Sequence, residues 1–261
     1  MKQNLVSIVS GATRGIGSKI RDELLLSGYS VIYIGSNDDS VVKNQPRIKL
    51  NHGQFAKGIS INFKGWPTWV DTTWNQFICR NGKIETRIES NDLMAGFDKK
   101  QYRIDLLVNC AGITQTTAAI KANTNEMADI MNVNFMSSVS LTQLALKQMI
   151  RNAKLDGHRG KIVNISSILG DSSSNIIVPG TAMYSASKAA MIQYNRVLSE
   201  ELKRLSIDVQ TISPGLFENT DMIKTLDPEI QRKLREKLPN GELTSVNGII
   251  AAMGLKKPSI N

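Results

Sequence analysis

The sequence predicts a single doubly wound α/β domain: a parallel sheet with helices on both faces. Short, continuous apolar runs recur along the chain, and long helical patterns lie between several of them. The opening segment also has the order strand, glycine turn, helix, strand. LVSIVSG (5–11) is the first run, and the stretch after it takes helical spacing through Ile16, Ile20, Leu24 and Leu25 up to Gly28. SVIYIG (30–35) is the second strand. Further strands are expected at AKGISIN (56–62), IDLLVN (104–109), GKIVNIS (160–166) and IDVQTIS (207–213), with helices from about Glu126 to Arg151 and Met183 to Leu205. Residues 63–103 hold all three tryptophans (Trp66, Trp69, Trp74) without a clear period and are expected to leave the sheet as an insertion. DSSSNIIVPG (171–180) is a second irregular piece. With neither repeat nor linker, residues 1–261 are expected to form one domain.

Composition narrows the function classes. The 261 residues are 41% hydrophobic and 21% charged, as in a folded globular protein. Apolar runs all fall short of the roughly 20 residues a membrane helix needs, so no membrane partner is expected. The start passes almost at once into a strand-like stretch, which lowers the expectation of a cleaved leader. Cys79 and Cys110 are the only cysteines, without a CxxC, which favours a reducing compartment over a disulfide framework. His52 and His158 are the only histidines, both in Gly-flanked polar segments, so metal catalysis and a Ser-His-Asp triad are poorly supported. No metal is expected, and another residue type must handle protons. The net charge of +9 suits an acidic partner (nucleic acid, a phosphate-bearing small molecule or an acidic protein) and equally suits a plain basic surface.

Gly11, Gly15 and Gly17 form GATRGIG between the first strand and first helix. A glycine cluster alone could be only a turn. Its place in a βαβ unit points instead to backbone that approaches a pyrophosphate, with helix amides facing the anion. Gly11, Thr13, Arg14, Gly15, Ile16 and Gly17 are therefore expected dinucleotide contacts, with Ser36 after the second strand. NAD-selective sites place an acid there for the ribose hydroxyls. Here Gly35, Ser36 and Asn37 come first, with no acid before Asp38, and Arg14 can meet an added phosphate. The expected cofactor is NADPH/NADP.

GATRGIG, NCAG (109–112), VNF (133–135), NISS (164–167), YSASK (184–188) and SPG (213–215) together resemble the short-chain dehydrogenase/reductase family, in the family's order and over nearly the whole chain. INFKGWPTWVD, DIMNVNFMSSVSLTQ and VPGTAMYSASKAA are similar to the fungal, mitochondrial-type 3-oxoacyl-[acyl-carrier-protein] reductase branch. The resemblance implies a Rossmann-type dinucleotide-binding and catalytic domain that reduces 3-oxoacyl groups on acyl carrier protein, in type II fatty acid synthesis, with the mitochondrial matrix as location and the cytoplasm as alternative. It implies Tyr184 as proton donor, Lys188 as the cation that stabilises phenolate and reaches the nicotinamide ribose, and Ser167 as hydrogen-bond donor to the carbonyl. Asn134 would hold a local helix break and place a water next to Lys188. Read for packing alone, Asn134 could be a solvent-facing helix residue and Ser167 a strand-end cap.

Asn109, Ala111 and Gly112 would shape backbone beside the cofactor. Asn62 and Phe63 would border the adenine, with a purely packing role for Phe63 the other reading. Pro214 and Gly215 would begin the loop beside the nicotinamide amide, with Phe217 and Thr220 as contacts. Ser167 and Tyr184 stand 17 positions apart because DSSSNIIVPG is expanded; a loop of that length still closes at modest entropic cost, and it is expected to shape the acyl or pantetheine channel, with a tolerated surface insertion the other reading. The tail after LTSVNGIIAAMGL reads KKPSIN where the family usually has a final strand, which implies a homodimer or a heteromeric partner in place of a tetramer. Arg151, Lys154, Arg159, Lys161, Lys203 and Arg204 are expected docking cations for an acidic carrier. Reduction of another small ketone, or a non-catalytic dinucleotide-binding subunit, are the alternatives. Nucleic-acid binding is disfavoured, since no aromatic-rich RNP-type motif is present.

Overall fold

Eight strands form one sheet in the order β5-β4-β3-β2-β1-β6-β7-β8. The computed structural model describes residues 3–80, 83–115, 117–156, 160–217, 231–232, 235–236 and 244–255, with backbone alone at 80 and 152–156. The strands are β1 (Asn4–Ser10), β2 (Ser30–Gly35), β3 (Ala56–Ser60), β4 (Trp74–Arg80), β5 (Lys83–Ser90), β6 (Tyr102–Asn109), β7 (Lys161–Ile165) and β8 (Asp208–Ile212). The helices are α1 (Gly15–Leu26), α2 (Asp38–Lys43), α3 (Thr124–Met131), α4 (Ser137–Asp156), α5 (Ala182–Leu202) and α6 (Val246–Met253). A π-helical turn, Asn132–Met136, joins α3 to α4. Six neighbouring strands, β3-β2-β1-β6-β7-β8, are parallel. The expected doubly wound architecture is the observed one, and among the described residues no strand lies beyond β8. The expectation about the chain's last residues, 256–261, lies outside the described residues.

The continuous apolar runs form central strands because both sheet faces are covered. All six residues of β2 are buried. Val6, Ile8, Ile32 and Ile34 pack with α4 and α5, while Val9, Val31 and Tyr33 pack with α1, α2 and α6. Each large apolar side chain contributes about 1.5–3 kcal/mol when fully buried, more than an exposed ion pair at roughly 0.2–1 kcal/mol. Burial therefore decides the register. β1 and β6 lie side by side, but their outgoing connections run in opposite directions, which opens a crevice at their C-terminal ends.

The insertion corrects the expectation that 63–103 leaves the sheet. β4 pairs antiparallel with β3, and β5 with β4, so the segment extends the same sheet by a hairpin. The apolar period is absent because β5 is the outer strand and mostly exposed, and because Gln76 and Lys57 take buried positions that a pattern reader expects to be apolar. Lys57 on β3 donates to Gln76 Oε1 at 3.0 Å, to the Ala95 carbonyl at 3.2 Å and to the Leu93 carbonyl. Trp69 and Trp74 then enter the main core on the α4 side.

Candidate active site

The glycine turn leaves β1 at the crevice. Gly11 has φ +64°, and a Cβ there would lie 2.7 Å from the Ala111 Cα; a Cβ on Gly17 would lie 2.4 Å from the Gly11 carbonyl oxygen. Only glycine lets the turn fold this tightly against the end of β6. Ser10 Oγ completes the junction by accepting from the amides of Cys110 (3.0 Å) and Ala111 (3.2 Å). Beside Gly15 nothing lies within 4 Å of the Cβ position, and the first turn of α1 has no side-chain cap and no acid. That open, amide-lined cradle fits a dinucleotide pyrophosphate. Thr13 Oγ1 accepts from Ser40 Oγ at 2.8 Å, tying the turn to α2, and Ile16 packs on the apolar layer beneath. Ser36 and Arg14 are exposed at the rim.

The expected catalytic residues come together on one side of the crevice. Asn134 sits in the π-helical turn, and its side chain embraces the loop after β6: it accepts from the Ile113 amide (2.8 Å) and donates to the Ile113 carbonyl (3.0 Å). It also donates to Ser187 Oγ at 3.0 Å, which in turn donates to the Tyr184 carbonyl at 2.7 Å. Asn134 is thus a buried link between helix break and catalytic helix, not a solvent-facing residue. A Cβ on Gly112 would stand 3.6 Å from both Asn134 Oδ1 and Lys188 Nζ, so these two polar atoms converge on the NCAG backbone.

Ser167 caps the following 3₁₀ turn, accepting from the Leu169 amide at 3.2 Å, and its hydroxyl lies near enough to the Tyr184 phenol to favour the phenolate. Lys188 lies one turn beyond Tyr184 on α5, with Nζ 5.9 Å from the tyrosine ring centre and donating to the Ile165 carbonyl at 2.9 Å. Burial raises the Tyr184 phenol above its ordinary range; the Ser167 hydrogen bond opposes that, and the nearby Cys110 thiol adds to it. Lys188 is pushed down to about 8, again by burial, against a smaller opposing effect of Cys110. The tyrosine therefore holds its proton at neutral pH, while the lysine stays charged only below about 8. Turnover that needs the ammonium is expected to fall as pH rises through about 8. A pH profile of kcat/KM that stays flat to about pH 9.5 would contradict this.

Other expected contacts sort differently. Asn109 is buried in an amide chain, donating to Asn164 Oδ1 (2.6 Å) and Thr142 Oγ1 (3.2 Å), so it locks the ends of β6 and β7. Ala111 lies against Gly11. Asn62 is exposed and caps a 3₁₀ turn, whereas Phe63 packs at 5.1 Å against Trp69. Pro214 accepts from the Ile168 amide at 3.1 Å, and the Gly215 amide donates to Thr244 Oγ1 at 2.9 Å. Phe217 is buried in the α6-side core with Lys19 Nζ over its ring at 5.2 Å, a packing position. Thr220 lies outside the described residues, as do the side chains of Lys154 and Arg159. Lys161 pairs with Asp208 (3.2 Å) and Lys203 with Glu200 (3.4 Å), while Arg151 and Arg204 are exposed.

Sequence reasoning missed Gln115. It is fully buried and accepts from the Met183 amide at 2.7 Å and the Tyr184 amide at 3.4 Å, capping the first turn of α5 from another loop. Its signal was faint: Thr181, the residue preceding α5, supplies no cap of its own.

A family model described as short chain dehydrogenase matches residues 68–231. The chain belongs to the short chain dehydrogenase family. Among curated members it is 31% identical over 243 residues to the 3-oxoacyl-[acyl-carrier-protein] reductase FabG of Aquifex aeolicus, covering 93% of this chain and 86% of that one. It is 29% identical to the FabG of Haemophilus influenzae, covering 96% and 89%. A 3-oxoacyl-[acyl-carrier-protein] reductase of Bos taurus is 34% identical over 136 residues, 52% of this chain and 53% of its own. Among solved structures of this family, a short-chain dehydrogenase from Streptomyces avermitilis superposes with TM-score 0.60 at 27% identity, over 83% of this chain and 68% of the other. A gluconate dehydrogenase candidate from Agrobacterium tumefaciens has TM-score 0.71 at 21% identity, over 96% and 87%, a likeness of fold alone. Within the family frame, the Ser167–Tyr184–Lys188–Asn134 cluster occupies the C-terminal edge of the sheet beside the glycine turn, the place where α/β sheets hold ligands.

Proposed function

We propose that this protein is an NADPH-dependent reductase of 3-oxoacyl groups carried on acyl carrier protein, acting in mitochondrial type II fatty acid synthesis. The observation that carries the chemistry is the gathering of the Ser167 hydroxyl, the Tyr184 phenol and the Lys188 ammonium, whose Nζ lies 5.9 Å from the tyrosine ring centre, beside the NCAG backbone. Bound NADPH supplies the hydride that reaches the ketone carbon. Ser167 donates a hydrogen bond to the ketone oxygen as charge develops on it, and Tyr184 gives that oxygen its proton. The phenolate left behind is stabilised by Lys188 and reprotonated from solvent, so one hydride and one proton convert the ketone to an alcohol.

The substrate class is supported by the named activity of the similar FabG proteins and by the 171–180 loop next to Ser167. That loop is tied internally, Ser174 Oγ donating to the Ile168 carbonyl at 2.7 Å, and presents Ile177 outward at 85% exposure. An apolar residue there suits an acyl or pantetheine chain. NADPH is favoured by the lack of a free acid at the ribose position, and the mitochondrial setting by the resemblance of the INFKGWPTWVD stretch. The test compares acetoacetyl-carrier protein, a small acetoacetyl thioester and a simple ketone, each with NADPH and NADH. Turnover with NADPH should rise in the order ketone, thioester, carrier-bound thioester. Equal turnover of the simple ketone would favour the broader ketone reductase, and no turnover of any would favour a non-catalytic subunit.

A further inference from the structure

The first acid after the second strand, Asp38, is already engaged. It stands 21 positions after Gly17, the distance at which βαβ units place the carboxylate that holds ribose hydroxyls, about 20 residues on. Its Oδ2 accepts from Arg87 Nη2 at 2.7 Å and from Asn75 Nδ2 at 3.0 Å. Both donors belong to the β4–β5 hairpin. Arg87 is braced by Phe77, its guanidinium carbon 4.9 Å from the ring centre, and Phe77 shares a core cluster with Val41 of α2. The start of α2 is fixed as well, by the Asn37 side chain on the Ser40 amide (2.8 Å) and by Ser40 on Thr13 of the glycine turn. Hairpin, helix start and cofactor turn are therefore one linked unit.

We propose that the β4–β5 hairpin selects the dinucleotide that carries a 2′-phosphate. With Oδ2 engaged by the Arg87 guanidinium and the Asn75 amide, the carboxylate is less available to recruit a ribose 2′-hydroxyl, its charge offset in part by the guanidinium. It also repels a phosphate far less than a bare carboxylate would. Arg87, 61% exposed, keeps further N–H donors for that phosphate. The insertion thus turns an acid suited to NAD into part of an NADP site. This deepens the cofactor half of the reductase reading and rests on it; the substrate half is independent.

The experiment measures Kd of NADPH and NADH by nicotinamide fluorescence, without substrate, and of adenosine monophosphates bearing the phosphate at the 2′ or the 5′ position. Arg87→Ala should weaken NADPH by roughly tenfold or more, the size of one charge-assisted hydrogen bond, and leave NADH unchanged or tighter. Asp38→Asn, which leaves the hairpin intact, should hold or tighten NADPH. The double variant should recover the part of the NADPH affinity lost in Arg87→Ala that comes from the bared carboxylate, and not the part that comes from the missing guanidinium. Equal weakening of both dinucleotides by Arg87→Ala, weaker NADPH binding in Asp38→Asn, or no recovery in the double variant would each overturn the proposal. A wild type that turns over no 3-oxoacyl thioester yet shows this coupling would sink the substrate reading and leave the hairpin's role standing. Turnover of the thioester with NADPH but no coupling would do the reverse.

Discussion

Tyr184→Phe is expected to lower turnover by roughly 10²–10⁴-fold while NADPH binding survives. The substitution removes one oxygen from a ring that is 6% exposed and leaves its packing in place. What disappears is the phenolic hydroxyl to which the proton transfer is assigned. Lys188 cannot replace it, since its Nζ is bound to the Ile165 carbonyl and lies over the tyrosine ring. Because the ring's packing is retained, unfolding by urea should shift little. NADPH fluorescence titration gives the binding control and single-turnover kinetics give the chemical step. Turnover within tenfold of wild type would remove Tyr184 from the proton transfer.

Lys57→Met should destabilise the fold by roughly 2–4 kcal/mol, because the wild-type ammonium satisfies three buried acceptors that the thioether leaves bare. Burial pushes the Lys57 ammonium down to about 7, with Asp92 opposing and Lys99 reinforcing. The sign of the pH dependence follows. Above about 7 the folded protein holds Lys57 neutral, whereas the unfolded chain keeps it protonated up to its ordinary value of 10.5. The unfolded state then binds more protons, so wild-type stability gains from this group as pH rises from about 7 towards 10.5, and below 7 the dependence vanishes. Lys57→Met lacks that gain. The stability gap between the two proteins should accordingly be wider at about pH 9 than at about pH 6, read from urea unfolding at both values. A gap that narrows with pH would refute the buried-lysine assignment. Because Lys57 ties β3 to Gln76 and to the 93–95 loop, the variant should also loosen the hairpin that carries Asn75 and Arg87.

Local pattern made the parallel core and the pairing of Tyr184 with Lys188 legible. β1, β2 and β6 read as apolar runs because strands covered on both faces need them. Tyr184 and Lys188 were readable because helical spacing places i and i+4 on one face. The hairpin was not legible: its outer strand is exposed, and two of its buried contacts are made by Lys57 and Gln76. A polar residue satisfied by partners 19 to 38 positions away leaves no periodic trace. Phe217, which follows SPG in sequence, packs in the core beneath Lys19, a contact that local pattern does not encode either.

By itself the sequence determined the sheet's parallel half, the glycine turn and the spacing of Tyr184 and Lys188, because each depends on spacing along a strand, turn or helix. Only the tertiary structure decided that Asn134 grips Ile113 and Ser187, that Gln115 caps α5 and that Asp38 accepts from a hairpin residue 49 positions later. Those contacts join elements far apart in the chain. Hydrogen bonds between such elements exist once burial has brought them together, and no local pattern encodes which donor will meet which acceptor.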